Sequence, residues 1–547
     1  MQGRKLVASM VITVGLTVIA RFASAQDSTP SASNRPPAVA DVGRQIEEMR
    51  RLIDKQNEMI VDLQRRLDEV ATRTANDRSI SGMPSHSTES PQISSDLEAR
   101  FAGSIAAFEA RQAAQQEAKT FEIGKDLDMK VSWKDGMVAE TADKSFKVHV
   151  GGRMQFDTIW MHGQHDVENG AGGTGEIKDA VNFRRARLAV EGTMYEIIEF
   201  NCEYDFINTF DAVPSVADTP APTELWLTIK ELPCLGNLRI GNQKPPISFE
   251  HLTSSRFLNF MERSFGFDSF IGGLDNGFRP GIQAFNTLMD EHMTWAIGWF
   301  KNNNTPFGWN VGDGEGDVTG RLTFLPYYSD DGRYLIHLGL GALHQDLDDD
   351  TARFRSRTLL RNGPGTLQTV LAQARMLGDS QDLIVPEFVM VYGPWTVQSE
   401  YSATWVHGVT DRVTPAPQAQ LNGGTYFAQG YYIEVLYFLT GENRVYDRKY
   451  PRFGRVSPFE NFFCVDRGDG LILGCGGWQV GARYSMSRLS NDGIRGGSLD
   501  DLTLGLNWFL NPNTKIQWNY SITHRDAKGD TSDGTVQGLG MRLAFDF

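Results

Sequence analysis

Apolar and polar side chains alternate along the chain from about residue 145 to its last residue, and this period of two constrains the fold more than any other feature. In a strand, residues two apart share a face. The last nine residues therefore place Leu539, Leu543 and Phe547 on one apolar stripe and Arg542 on the opposite face. Such a strand suits a lipid-facing barrel, and it equally suits the last strand of a soluble sandwich.

The same alternation recurs often enough to decide between these folds. Trp160, Trp508 and Trp518 lie on the apolar face near strand ends, which is typical of an interfacial girdle. The pattern predicts an all-β protein, a transmembrane antiparallel β-barrel of about 16 strands, an even number that leaves a water-filled lumen. The predicted strands span residues 146–160, 181–193, 196–206, 223–231, 236–243, 280–286, 292–300, 317–326, 333–344, 384–393, 394–405, 426–439, 476–487, 499–510, 513–524 and 536–547.

The amino-terminal residues predict export. Arg4 and Lys5, an apolar stretch and Ala23-Ser24-Ala25 have the order of a cleaved secretory signal. Its removal takes the formal charge from −15 to about −18, which argues against non-specific nucleic-acid binding. After it, no apolar run reaches the roughly 18 residues of a membrane helix. Only a closed barrel could then cross a membrane.

The region before the barrel has a different periodicity. Ile46, Ile53, Ile60 and Leu67 fall on heptad positions separated by charged residues, which predicts a coiled coil that permits a trimer. We divide the chain into a signal peptide (1–25), a disordered leader (26–41), the coiled coil (42–73), a linker with a second helical segment (74–120), a short hairpin (121–144) and the barrel (145–547).

Connection lengths support the strand order. If the chain enters from the periplasm, connections after odd strands should be long outer loops and those after even strands short turns. Residues 440–474 break this rule, since a short turn is expected there. Either this segment is a periplasmic excursion or the strand count is wrong at that point.

Four stretches resemble, in the correct order, the phosphate-selective porin O and P family. They are Phe183-Arg-Arg-Ala-Arg-Leu188, Leu238-Arg-Ile-Gly-Asn-Gln-Lys-Pro245 with Phe260-Met-Glu-Arg263, Leu439-Thr-Gly-Glu-Asn-Arg444, and Leu504-Gly-Leu-Asn-Trp-Phe-Leu-Asn-Pro512. The resemblance runs from about residue 129 to the end, where the terminal Phe547 is similar to the signal that the barrel-assembly machinery recognises. It implies a homotrimeric porin of the cell outer membrane, with a periplasmic amino-terminal segment and a lumen that draws anions such as phosphate.

Alternation and resemblance together give candidate site residues. A guanidinium matches phosphate oxygens with a planar fork, and several moderate sites let an ion enter without trapping it. Arg184 lies one position off the lumen face, which predicts a place at the rim. The lumen candidates are Lys147, Arg153, Arg185, Arg187, Lys230, Arg239, Arg321 and Arg542, and those of an inward-folded loop at 244–279 are Lys244, Arg256, Arg263 and Arg279.

Carboxylates on the same face offer an alternative. They may neutralise the cations along the wall, in which case the pore is wide and polar with slight anion preference. A general or other-solute porin, whose coiled coil mainly anchors the envelope to the cell wall, is the alternative function. The acids concerned are Asp157, Glu191, Glu199, Glu203 and Asp205.

Other functions have weaker support. His162, His165 and Asp166 lie in a Gly-rich loop that does not fix a metal geometry, and no nucleophile with a base stands out, so we expect neither an enzyme, a metal nor a cofactor. Cys464 and Cys475 flank a loop-like segment and could close a local disulfide in an oxidising compartment.

Overall fold

The structure is a computed structural model that describes residues 127–207, 220–272, 277–301, 316–347, 351–361, 368–409, 424–466, 470–491 and 493–547. The signal peptide, leader, coiled coil and most of the linker lie outside these residues and stay predictions. Within the described ranges, no helix has both the length and the apolar character needed to cross a membrane.

Sixteen antiparallel strands form a closed barrel, as the alternation predicts. Each strand pairs with the next along the chain, and the last pairs with the first, for example at Arg542 beside Asp157. The barrel strands are β3 (Lys147–Gly163), β4 (Ala180–Met194), β5 (Ile198–Asp205), β6 (Ala221–Leu232), β7 (Gly236–Gln243), β8 (Arg279–Leu288), β9 (Met293–Lys301), β10 (Gly316–Ser329), β11 (Tyr334–Asp346), β14 (Ser380–Tyr392), β15 (Trp395–Val409), β16 (Gly424–Phe438), β21 (Gly477–Arg488), β22 (Ser498–Asn511), β23 (Thr514–Asp526) and β24 (Gly534–Asp546).

The remaining elements are short. Four hairpins complete the strands: β1 (Met129–Trp133) with β2 (Met137–Thr141), β12 (Thr351–Arg357) with β13 (Val370–Leu377), β17 (Tyr446–Asp447) with β18 (Arg452–Phe453), and β19 (Phe463–Asp466) with β20 (Leu471–Gly474). The helices are α1 (His165–Asn169), α2 (Phe249–Leu252) and α3 (Phe265–Phe270), with a 3-10 turn at Asp330–Gly332.

The two faces of the wall have different surroundings. On β24, Leu539 and Leu543 are 45% and 46% exposed, whereas Arg542 between them is fully buried. Successive side chains of a strand point to opposite faces, so the exposed apolar residues form the outer surface that contacts lipid. The polar residues point into a lumen that inward-folded segments largely fill.

The long connection after β16 does not change the strand count. β16 pairs directly with β21, so residues 439–476 leave and rejoin the wall between neighbouring strands. This connection lies at the end of the barrel that carries the short turns, which is the periplasmic end in bacterial barrels. Of the two explanations open from the sequence, the excursion is correct.

Candidate functional site

The connection from β7 to β8 folds into the lumen and reaches the opposite wall. We call residues 244–278 loop L3, of which all but 273–276 are described. The Met261 N–H donates to Asn519 Oδ1 at 2.7 Å, and Phe260 is 2% exposed. Gly505 on β22 leaves the space for this ring, because a Cβ there would lie 2.9 Å from Phe260. L3 therefore divides the lumen between β7 and the β22–β23 wall.

The first turn of L3 is held by one wall carboxylate. Glu400 on β15 accepts from the backbone N–H groups of Phe249 at 2.6 Å and Glu250 at 3.1 Å. The hydroxyl of Ser248 donates to the same carboxylate at 3.2 Å. Backbone donors that would otherwise be unpaired at the start of α2 are satisfied by the wall, which fixes the entry of L3.

A second carboxylate, Glu262 of L3, lies among four arginines. Arg184 donates to both of its oxygens, at 2.9 and 3.1 Å, and Arg542 donates at 2.8 Å. Nitrogens of Arg185 and Arg361 lie 3.8 and 3.9 Å away. One loop carboxylate thus neutralises part of a cluster contributed by β4, β24 and a second loop, and we call these five residues the Glu262 clamp.

Arg184 lies inside the lumen, so the predicted place at the rim is wrong. The register between β3 and β4 shifts between Gln155 and Phe156, which makes a bulge in β4 at Arg184. A bulge inserts an unpaired residue and re-aims side chains. Arg184 and Arg185 consequently both point to Glu262, which strict alternation forbids.

A second loop also enters the lumen, and the sequence reasoning missed its arginines. On β12, Arg353, Arg355 and Arg357 recur at every second residue. Arg357 and Arg361 bind Asp268 of α3 at 2.6 and 2.8 Å. The period-two arginines were the available signal, but the segment was assigned to an unstructured outer loop.

The periplasmic excursion supplies a third inward segment, residues 440–456, which we call the inner turn. The ring of Phe249 in L3 lies between Tyr446 and Phe453 of this turn, with centroids 6.1 and 4.9 Å away. The Tyr446 hydroxyl lies 2.8 Å from Nδ1 of His337 on the wall. The inner turn therefore supports L3 from the periplasmic side.

These segments leave a cavity of about 420 Å³ along the wall formed by β3 to β7. Its lining carries eleven Arg and Lys side chains and six Asp and Glu side chains, a formal balance of +5. The whole chain carries −15. Positive charge is concentrated in the lumen of an otherwise acidic protein, and a cleft lined by one sign of charge raises the local concentration of the opposite ion.

Carboxylates partner most of the predicted lumen cations. Arg153 contacts Glu203, and Lys230 lies 3.1 Å from Glu199. Arg321 binds Glu387 at 2.6 Å, and Lys147 is exposed at the end of β3. The acid contacts of the group are Arg153 and Arg187 with Glu203, Arg187 with Asp205, Arg185 and Arg542 with Glu262, Arg542 with Asp157, Lys230 with Glu199 and Arg321 with Glu387.

The four cations predicted for the inward loop fall into two groups. Arg279 begins β8 and contacts Asp317, and Arg256 lies 3.9 Å from Glu203. Lys244 instead donates to the His251 carbonyl at 2.6 Å, and Arg263 donates to the carbonyls of Glu250 and Thr253 at 2.9 and 2.6 Å.

Three cations of the cavity have no carboxylate oxygen within 4 Å among the described residues: Arg239, Lys244 and Arg263. Carbonyl groups, a hydroxyl and aromatic rings hold them in place. Their full charges face the cavity that they line. The pairing alternative thus applies to most of the wall and leaves this group available to an anion.

The acids of L3 differ in their protonation. Burial alone would raise the pKa of Glu262, but Arg184, Arg185 and Arg542 outweigh it and hold that pKa well below its usual range. Asp268 has a lowered pKa because Arg357 and Arg361 likewise outweigh its burial. Burial raises the pKa of Glu250 despite the nearby Arg483.

We expect L3 to stay docked when the pH falls from 7 to 5. The lowered pKa values of Glu262 and Asp268 mean that their contribution is lost only well below the usual carboxyl range. The raised pKa of Glu250 means that its contribution grows as the pH falls. Single-channel conductance at pH 7 and pH 5 should therefore agree closely, and an abrupt conductance step between these values would contradict the clamp.

Two further sequence predictions concern cysteines and metals. Cys475 has a free thiol that donates to the Gly476 carbonyl at 3.2 Å, and the side chain of Cys464 lies outside the described atoms. The disulfide between them remains a prediction. In the described parts of the chain, no group of three or more His, Cys, Asp or Glu side chains is placed to hold a metal ion.

A closed barrel of sixteen strands with an apolar outer surface and a charged cavity defines the class of outer-membrane porins. Residues 148–547 match the family model "Phosphate-selective porin O and P". The chain belongs to this family, and its cell location is the outer membrane.

Individual relatives are distant in sequence. Porin O of Pseudomonas aeruginosa is 24% identical over 453 residues, which cover 77% of this chain and 93% of that protein. An anion-selective porin from Comamonas acidovorans is 13% identical with a TM-score of 0.44, covering 74% of this chain and all of the other. The channel DcaP of Acinetobacter baumannii is 12% identical with a TM-score of 0.41, covering 75% of this chain and 99% of the other.

Proposed function

We propose that this porin conducts small anions, inorganic phosphate among them, across the outer membrane. The observation that carries the proposal is the balance of +5 around the cavity, together with three cations that no described carboxylate neutralises. Membership of a family described as phosphate-selective supports the choice of phosphate. Ion-paired arginines on the opposite wall position L3 and add less to selectivity.

The direct test is the reversal potential of the intact porin in planar bilayers, under salt gradients of chloride and of phosphate. Anion selectivity is expected in both salts. A reversal potential that favours cations would exclude the proposal. Equal permeability to both signs would favour the alternative, a general porin.

Replacing Arg239, Lys244 and Arg263 together with glutamine should lower the anion-over-cation permeability ratio about fivefold. This factor corresponds to roughly 1 kcal/mol, the attraction of unit charges about 4 Å apart at the dielectric constant of water. The matched control replaces three exposed lysines outside the cavity, Lys130, Lys134 and Lys144, with glutamine. An equal loss in both variants would mean that general charge, and not this group, sets selectivity.

The assembly of the porin is a second part of the proposal. We infer a homotrimer with a periplasmic coiled coil at residues 42–73 that could contact the cell wall. For Phe547 we infer recognition by the barrel-assembly machinery. Its backbone N–H and C=O pair with Gly152 at 3.1 and 2.8 Å, which leaves the terminal residue at the seam where the barrel closes. Unchanged conductance with a failing envelope after deletion of residues 42–120 would favour anchoring as the main role.

A further inference from the structure

Six aromatic rings line the cavity, and each lies within 6 Å of a guanidinium or ammonium group. Such pairs occur about once per 70–80 residues in proteins, so six around one cavity are a concentration that calls for a reason. The pairs are Trp226 with Arg239, Phe257 with Arg455, Phe267 with Arg263, Phe278 with Lys244 and Arg187, Tyr450 with Arg452, and Phe453 with Arg444.

Arg239 has the most complete aromatic surroundings. Its guanidinium carbon lies 3.8 Å from the Trp226 ring centroid and 5.1 and 5.8 Å from those of Phe285 and Tyr450. Its Nε donates to the Thr228 hydroxyl at 2.9 Å, and no described protein group accepts from its two terminal nitrogens. Because a ring holds a cation without neutralising it, Arg239 keeps both its charge and its donor edge for a ligand.

A side cavity of about 80 Å³ opens beside Arg239, between the wall and the inner turn. Leu252, Phe285, Tyr450 and Pro451 give it an apolar surface, and it shares Arg239 and Lys244 with the main cavity. The buried Gln283 Oε1 faces no hydrogen-bond donor of the protein. An inorganic ion needs no apolar surface next to its cationic site, whereas an organic anion does.

We propose that this cavity is a binding subsite for aromatic oxyanions, that is, a phosphate or carboxylate joined to a planar ring. The oxyanion binds the terminal nitrogens of Arg239 and the ammonium group of Lys244. The ring packs against Tyr450, Leu252 and Pro451. This inference rests on the proposed anion conduction and extends it to a second class of solute.

The test compares phenyl phosphate with inorganic phosphate as blockers of chloride current through single channels of the full-length porin. Because stacking of a ring on an aromatic side chain strengthens binding, phenyl phosphate should reach half-block at a concentration about fivefold lower than inorganic phosphate. Benzoate against acetate, measured in the same membranes, separates ring recognition from phosphate recognition.

Two variants locate the ring. Tyr450→Leu and Phe285→Leu should each reduce the fivefold advantage of phenyl phosphate to about twofold or less. Tyr450 lies on the inner turn and Phe285 on the wall, so failure of one variant to fold still leaves the other. The control is Trp299→Leu, since this ring is 44% exposed on the lipid-facing surface and should leave the ratio of the two half-blocking concentrations at fivefold.

Equal half-blocking concentrations for phenyl phosphate and inorganic phosphate in the unmodified porin would overturn the subsite. An advantage that survives in both Leu variants would overturn it as well. Reversal potentials recorded on the same channels test anion conduction separately. A porin that selects anions but ignores the ring therefore contradicts the subsite alone.

Discussion

Replacement of Glu262 with glutamine is expected to lower the dissociation constant of phosphate in the channel at least tenfold. The single carboxylate lies 2.8 to 3.9 Å from nitrogens of four arginines. The attraction between unit charges about 4 Å apart runs from about 1 kcal/mol in water to about 4 kcal/mol at an effective dielectric constant of 20. About 1.4 kcal/mol within that range gives tenfold. Without the charge, the cluster becomes available to a permeating anion.

The concentration at which phosphate half-saturates the current measures this change. Glu176→Gln is the matched control, because Glu176 is exposed and lies 3.7 Å from Lys178 in an outer loop. The midpoint temperature of unfolding should fall in Glu262→Gln and stay constant in the control, since only the clamp joins L3 to the wall. Unchanged phosphate saturation in a folded Glu262→Gln porin would show that the four arginines do not face the ion path.

Removal of the Glu387 carboxylate is expected to destabilise the barrel strongly. Glu387 on β14 binds Arg321 at 2.6 and 2.8 Å and lies 3.2 Å from Nε2 of His337. Both side chains of the ion pair are almost fully buried. Breaking a buried pair by truncating one partner typically costs about 3–5 kcal/mol, because a buried charge is left without compensation. Glu387→Ala should therefore unfold at a clearly lower denaturant concentration.

The double variant Arg321→Met with Glu387→Leu separates charge compensation from packing. Replacement of a buried pair by apolar residues of similar volume is often neutral. We expect the double variant to recover more than half of the loss in Glu387→Ala, measured as the midpoint of chemical unfolding. Equal instability of both variants would attribute the effect to the contact between Arg321 and the Pro451 carbonyl in the inner turn.

Much of the wall could be predicted from residue order because its physics is local. Each of the sixteen predicted strands corresponds to an observed one, and Arg153, Arg187 and Arg542 lie on the inner face that alternation assigns to them. The bulge at Arg184 escaped prediction, since a single inserted residue breaks the period of two without a composition signal. The inner turn and β12 escaped too, because polar loop sequences do not reveal whether they fold inward.

The sequence by itself determined the barrel, its strand order and the residues that face lipid, since a strand of period two can bury only one face. The tertiary structure alone decided which lumen cations are available. Glu262 meets Arg542 across 280 residues and Arg184 across 78. Neutralisation acts over a few ångströms, and the partners reach that range only after L3 has crossed the lumen. Arg239, by contrast, keeps its charge because aromatic rings surround it.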